Sequence, residues 1–221
     1  MQQLSKRKNT MTALEFLRAA KPVKMILAFD ATISRSSAWG VAVRTQEAII
    51  IDALANCTNL NLMIGYFRAL DECKFTPWLS DPDQIKNLMN GIQCEPGRTQ
   101  IEKILKHAID LGATSAVFVG DSMEEFAPDV LAMAEAQKCP WHMVQDKSNW
   151  NYSHDVEPVF RQIAEITGGT YLSYGGQGEN ENEIAHQLTE SMRAISTLST
   201  MGIAGLIDMD TKEANLLLEQ T

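Results

Sequence analysis

The sequence predicts an α/β protein: a doubly wound, mostly parallel sheet with one short antiparallel edge strand and helices on both faces. Residues 25–29 form a continuous apolar run that ends abruptly in Asp30. Such a run, bounded by polar residues, reads as a strand covered on both faces, the habit of a central parallel strand. Further strand-like segments recur at residues 61–68 and 115–120. Segments with helical periodicity lie between them, and strands alternating with helices make a parallel sheet between two helical layers.

Each element has its own signal. In Thr10 to Ala20, apolar Ala13, Phe16, Leu17 and Ala20 share one helix face, and Pro22 closes the segment. The strand of residues 25–30 follows. From Trp39 to Leu54 the apolar positions Val41, Val43, Ala48, Ile49, Ile51 and Leu54 fit no single period, and a helix suits a segment between two strands. Asn61 to Arg68 reads as the second strand, and Glu72 to Thr76 as the antiparallel edge strand, ended by Pro77. A helix over residues 82–90 has Asp81 as its N-cap and Gly91 as its stop. Residues 95–98 form a turn. Thr99 then opens a helix through Asp110, with Ile101, Ile104, Leu105 and Ala108 as its stripe.

Ser115 to Gly120 is a third strand, ending in Asp121. Residues 128–138 read as a helix, 141–145 as a strand, 157–167 as a helix closed by Gly168 and Gly169, and 170–173 as the last strand. A Gly-rich polar loop over 175–182 leads to a long helix, Glu183 to Leu198, and Thr211 to Gln220 forms a short one. The organisation expected is an N-terminal extension with a short helix (1–22), one domain (23–200) and a C-terminal extension (201–221).

A chain of 221 residues with 45% hydrophobic side chains suits one α/β domain with a substantial core. No apolar run is long enough to span a bilayer. Lys6, Arg7 and Lys8 are followed by no long apolar region, so no secretory signal is read and a cytoplasmic location is expected. A net charge of −9 argues against nucleic acid as a partner. Cys57, Cys73, Cys94 and Cys139 form no C-x-x-C pair, which argues against zinc and for reduced thiols, although sequence leaves a Cys73–Cys94 pairing open.

The residues that carry chemistry are Asp30, Thr32 and Ser34, then Thr99 at a helix start, then Asp121 after a strand. Right-handed crossovers bring the carboxyl ends of parallel strands to one edge, where such sheets bind ligands. Hydroxyls plus carboxylates are the oxygen donors that a hard cation such as Mg²⁺ (or Mn²⁺) takes. The plainer reading has Thr32, Ser34 and Asp121 as helix caps.

In that order these residues resemble the metal-ion-dependent adhesion site of the von Willebrand factor A (vWA) domain. The resemblance covers residues 25–198 and looks like an intracellular bacterial branch, on segments such as Gly97-Arg98-Thr99-Gln100-Ile101 and Val119-Gly120-Asp121. It implies a Rossmann-like fold with direct metal ligation by Thr32 and Ser34. Asp30 and Thr99 would act directly or through water, and Asp121 mostly through water. The family often has Asp-Gly after the strand, whereas here Ser122, Met123, Glu124 and Glu125 follow Asp121. The function implied is a non-enzymatic, metal-dependent protein-binding module inside a larger assembly, capturing an Asp or Glu carboxylate of a protein partner.

Two other functions remain open on sequence. One is Mg²⁺-dependent phosphoryl transfer with Asp30 as nucleophile, although Thr32 stands where such enzymes want a second Asp. The other is a scaffold with a vestigial metal site and terminal helices that dock. The Gly175–Gly178 segment lacks phosphate-loop spacing. His107, His142, His154 and His186 share no ligand spacing and are expected at the surface or partly buried. Trp141 and Trp150 are expected as core or loop anchors, and Arg35 and Trp39 either line the metal loop's rim or pack in a helix.

Overall fold

The computed structural model describes residues 22–36, 39–40, 60–148, 156–176 and 178–221. The helix expected over 10–20, most of that over 39–54, Cys57, Trp150 and His154 lie outside the described residues. The strands are β1 (Val23–Asp30), β2 (Leu60–Arg68), β3 (Glu72–Phe75), β4 (Ser115–Gly120), β5 (Trp141–Asp146) and β6 (Tyr171–Tyr174). They form a six-stranded sheet in the order β3-β2-β1-β4-β5-β6. Only β3 is antiparallel, pairing Gly65 with Phe75 through Arg68 with Glu72. The remaining pairs are parallel.

The chain first winds outward from β1 through β2 to β3, then returns to β4 on the other side of β1. The β1–β4 seam is therefore the switch point where open α/β sheets bind ligands. In its register Phe29 pairs with both Tyr66 and Val119, so Asp30 and Gly120 end their strands side by side.

Burial explains why β1, β4 and β5 read as apolar runs: residues 25–30, 115–120 and 141–146 are buried throughout. Alternation divides their side chains between two layers. On one face Leu27, Phe29, Val117 and Val144 meet α1 (Pro82–Gly91), α5 (Glu181–Ile207) and α6 (Lys212–Leu218). On the other, Ile26, Ala28, Phe118 and Met143 meet α2 (Ile101–Ala108), α3 (Ala127–Glu135) and α4 (Glu157–Thr167).

Helix ends follow local chemistry. Asp81 Oδ1 accepts from the Asp83 N–H at 2.9 Å and starts α1. Gly91 is the last helical residue of α1 rather than its stop, which is the extended Ile92. Helix α2 begins after Gln100, so Thr99 stands ahead of it and not in its first turn. Gly168 closes α4 at φ 72°, a left-handed conformation that favours glycine. At Gly169 a Cβ would lie 2.0 Å from the Trp141 carbonyl oxygen, so the α4–β6 turn tolerates no side chain there.

Helix α5 corrects the expected span of 183–198 at both ends. It starts earlier because Asn180 and Glu183 form a capping box. It continues past Leu198 to Ile207, with a break at Gly202 (φ 68°, ψ −165°). That break masks the periodicity of the last turns. Residues 201–221, expected as an extension, place Leu206, Ala214 and Leu217 in the core at 0% exposure. The Gln220 side chain accepts from Tyr171 N–H at 2.8 Å and donates to Tyr171 O at 3.1 Å, pairing with the open edge of β6 as a strand would.

Among the described residues no helix is long and apolar enough to cross a membrane. Cys73, Cys94 and Cys139 are free thiols, so the Cys73–Cys94 pairing is absent. Burial of Leu217 makes a direct test of how far the folded body extends. Leu217→Ala should lower unfolding free energy by about 2–4 kcal/mol in denaturant melts. The neighbouring Leu216→Ala, at a 38% exposed position, should cost less than about 1 kcal/mol.

Candidate metal centre

The centre starts where β1 stops. Ala31 N–H donates to Phe67 O at 2.9 Å, and Ala31 O accepts from Glu95 N–H at 3.1 Å, which pins the turn between two neighbouring segments. Asp30 is fully buried. Its Oδ1 accepts from the Thr32 N–H at 2.8 Å, a local Asx-type turn that fixes the carboxylate's rotation. Its Oδ2 has no partner. The turn brings Thr32 Oγ1 to 3.1 Å from Ser34 Oγ. Thr32 leads into a single 3₁₀ turn, Ile33–Arg35, and makes no side-chain capping bond to it. The capping role open on sequence is therefore not what this hydroxyl does.

Asp121 follows β4 and is equally buried, with Oδ2 unpartnered and Oδ1 accepting from Ser122 Oγ at 3.1 Å. It caps no helix, because α3 begins after Phe126. Gly120 beside it admits the close approach of the strand ends: a Cβ there would lie 3.4 Å from Asp30 Cβ and 2.7 Å from the Phe118 ring. Burial pushes the Asp30 carboxyl up to about 7, and the Asp121 charge adds to it, against the Thr32 hydrogen bonds and the Arg35 charge.

Thr99 is buried and faces the loop after β4. Its hydroxyl donates to Glu125 Oε2 at 2.6 Å and accepts from Glu124 N–H at 2.7 Å. The structure thus joins Thr99 to the Asp121 loop, and separately joins Asp30, Thr32 and Ser34, with no direct hydrogen bond described between the two groups.

Sequence reasoning named Arg35 but not its role as a buried cation close to the site. Arg35 is 1% exposed, so it lines no rim. Its Nη2 lies 3.2 Å from Asp146 Oδ2 and donates to the Tyr174 hydroxyl at 2.9 Å. Tyr174 in turn donates to Asp146 Oδ2 at 2.9 Å, and Asp146 Oδ1 accepts from the backbone and hydroxyl of Ser148. Burial works against the Arg35 charge, but Tyr174, Asp146, Asp121 and Asp30 outweigh it and hold the guanidinium ionised. The one available signal was Asp146, a carboxylate at the end of a strand that sequence ended at Gln145. Trp39, also considered for the rim, packs edge-on against Phe29 at 6.4 Å and donates from Nε1 to Ile92 O at 3.0 Å.

Two of the histidines have partners of their own. His142 is fully buried, which corrects its expected partial exposure: Nδ1 lies 2.8 Å from Thr170 Oγ1, and burial pulls the ring down to about 4. His107 stacks on Phe75 at 4.5 Å. Among the described residues no group of three or more His, Cys, Asp and Glu could hold a metal ion. The donors gathered here are instead paired hydroxyls and two carboxylates, each with an orphaned oxygen. That set fits a hard, oxygen-seeking cation and not zinc or copper.

No protein-family model matches this sequence, and no curated protein matches it. Solved structures do. The pilus adhesin SpaC from Lactobacillus rhamnosus GG, in its open conformation, superposes with a TM-score of 0.62 at 10% identity, over 81% of this chain and 30% of the adhesin. The SpRpn10 VWA domain gives 0.57 at 7% identity over 76% of this chain and 93% of that domain. BatB from Bacteroides thetaiotaomicron gives 0.51 at 16% identity over 76% and 98%. The chain therefore has a vWA-like fold, while spanning only 30% of the length of SpaC.

The buried acid pair sets a pH dependence. The fold favours the neutral Asp30 carboxyl, so the stability this group contributes is full below its ordinary value of 3.8 and is lost as pH rises through about 7. Chelator-treated protein should melt at progressively lower temperature between pH 5 and pH 8. Asp30→Asn should flatten that slope and melt higher than the native protein at pH 8.

Proposed function

We propose that this chain is a non-catalytic protein-binding module that captures a partner carboxylate through a divalent cation. The observation that carries this reading is the pair of orphaned, buried oxygens, Asp30 Oδ2 and Asp121 Oδ2, at the switch point of the sheet. A buried carboxylate oxygen without a partner is costly, and a cation or its bound water relieves that cost. Thr32 and Ser34 would offer hydroxyl oxygens to the ion, and Asp30, Asp121 and Thr99 would hold it directly or through water. The group present when bound, Mg²⁺ or Mn²⁺, supplies a positive centre able to accept one oxygen ligand from outside the chain.

The surface around this edge supports a protein ligand. Ile33, Leu70 and Phe126 follow the ends of β1, β2 and β4 and are 51%, 81% and 69% exposed. An open groove is lined by Leu70 together with Pro96, Gly97, Arg98 and Glu124. A partner segment with an acidic side chain flanked by apolar ones matches that combination. A phosphoryl-transfer role has less support, since Thr32, where a second Asp would be needed, is tied to Ser34.

The test uses a labelled peptide carrying one Asp between apolar residues. It should bind in Mg²⁺ and be released by EDTA, and the same peptide with Asn in place of Asp should not bind. Binding that persists in EDTA would contradict the proposal.

A further inference from the structure

We propose that Glu125 is a positioning residue for the cation, acting through Thr99; the inference rests on the metal-binding reading above. A threonine hydroxyl has one proton and two lone pairs. At Thr99 the proton goes to Glu125 Oε2 in a short hydrogen bond of 2.6 Å, and one lone pair accepts from Glu124 N–H at 2.7 Å. One lone pair remains. A hydroxyl ligates a cation through a lone pair and must send its proton elsewhere, and Glu125 is where that proton goes.

Glu125 is itself held from a second side. Its Oε1 accepts from Glu102 N–H at 2.9 Å, in the first turn of α2, where Gln100 makes no side-chain capping bond. The carboxylate therefore ties the loop after β4 to the start of α2 and fixes the Thr99 rotor at once. This gives a role to the stretch Ser122–Glu125, in which the sequence departs from the usual Asp-Gly pattern. The extra carboxylate orients a ligand, as carboxylates behind metal-bound histidines do.

Isothermal titration of chelator-treated protein with Mg²⁺ tests this, using the native chain, Glu125→Gln, Thr99→Ala and the double variant, with melting temperature followed in parallel. Glu125→Gln keeps the side-chain volume but no longer takes the hydroxyl proton on a charged oxygen. It should weaken Mg²⁺ binding by about tenfold or more. In the Thr99→Ala background the same change should cost less than about twofold, because its effect runs through Thr99. The Gln side chain keeps an oxygen that can still accept from Glu102 N–H at the start of α2, so the melting temperature should change little in both backgrounds, which separates the positioning contribution from a structural one. Unchanged affinity in Glu125→Gln, or an equal loss in both backgrounds, overturns this inference while native Mg²⁺ binding keeps the metal reading. Failure of the native chain to bind Mg²⁺ overturns both.

Discussion

Two buried carboxylates stand at the ends of adjacent parallel strands, each with one oxygen unpaired. Their placement follows from topology: β1 and β4 are neighbours only because the chain reverses its winding direction between them. Burial is the larger cause that raises the Asp30 carboxyl, and repulsion from the like charge of Asp121 adds to it. The surrounding features act on this pair. Gly120 lets the strands close, Thr32 N–H fixes one oxygen of Asp30, and the Thr32–Ser34 hydroxyls stand beside the other residues of the turn.

The buried Arg35 offsets part of that charge. It bonds to Asp146 and Tyr174 rather than to Asp30 or Asp121, so it contributes a positive field without occupying the acids' free oxygens. A direct ion pair would have satisfied the two acids and left nothing for a cation to do. The network instead leaves a residual negative centre facing the sheet's carboxyl edge. Removing one member of such a buried pair costs far more than an exposed one, because the remaining charge is left unpaired.

Much of this was legible in sequence where chemistry and local pattern coincide. An apolar run ending in Asp30-x-Thr32-x-Ser34 places its acid at a strand end because the strand is buried on both faces, and Asp121 follows by the same argument. What escaped depended on contacts distant along the chain. Arg35 meets Tyr174 across 139 positions, so no local period marks it as buried. Glu125 stood out in sequence only as part of a departure from the usual Asp-Gly pattern, and only the fold brings its carboxylate back to Thr99 and to the first turn of α2. The last turns of α5 were lost to the break at Gly202, which interrupts the helical period.

The most direct measurement is a Mn²⁺ titration of chelator-treated protein at pH 8, followed by the paramagnetic resonance signal of the free ion. The native chain should remove that signal with one saturable site, and Asp30→Ala, still folded by its melting curve, should leave the signal as in buffer alone. A native chain that leaves the free-ion signal unchanged, or an Asp30→Ala variant that binds as tightly as the native one, would contradict it.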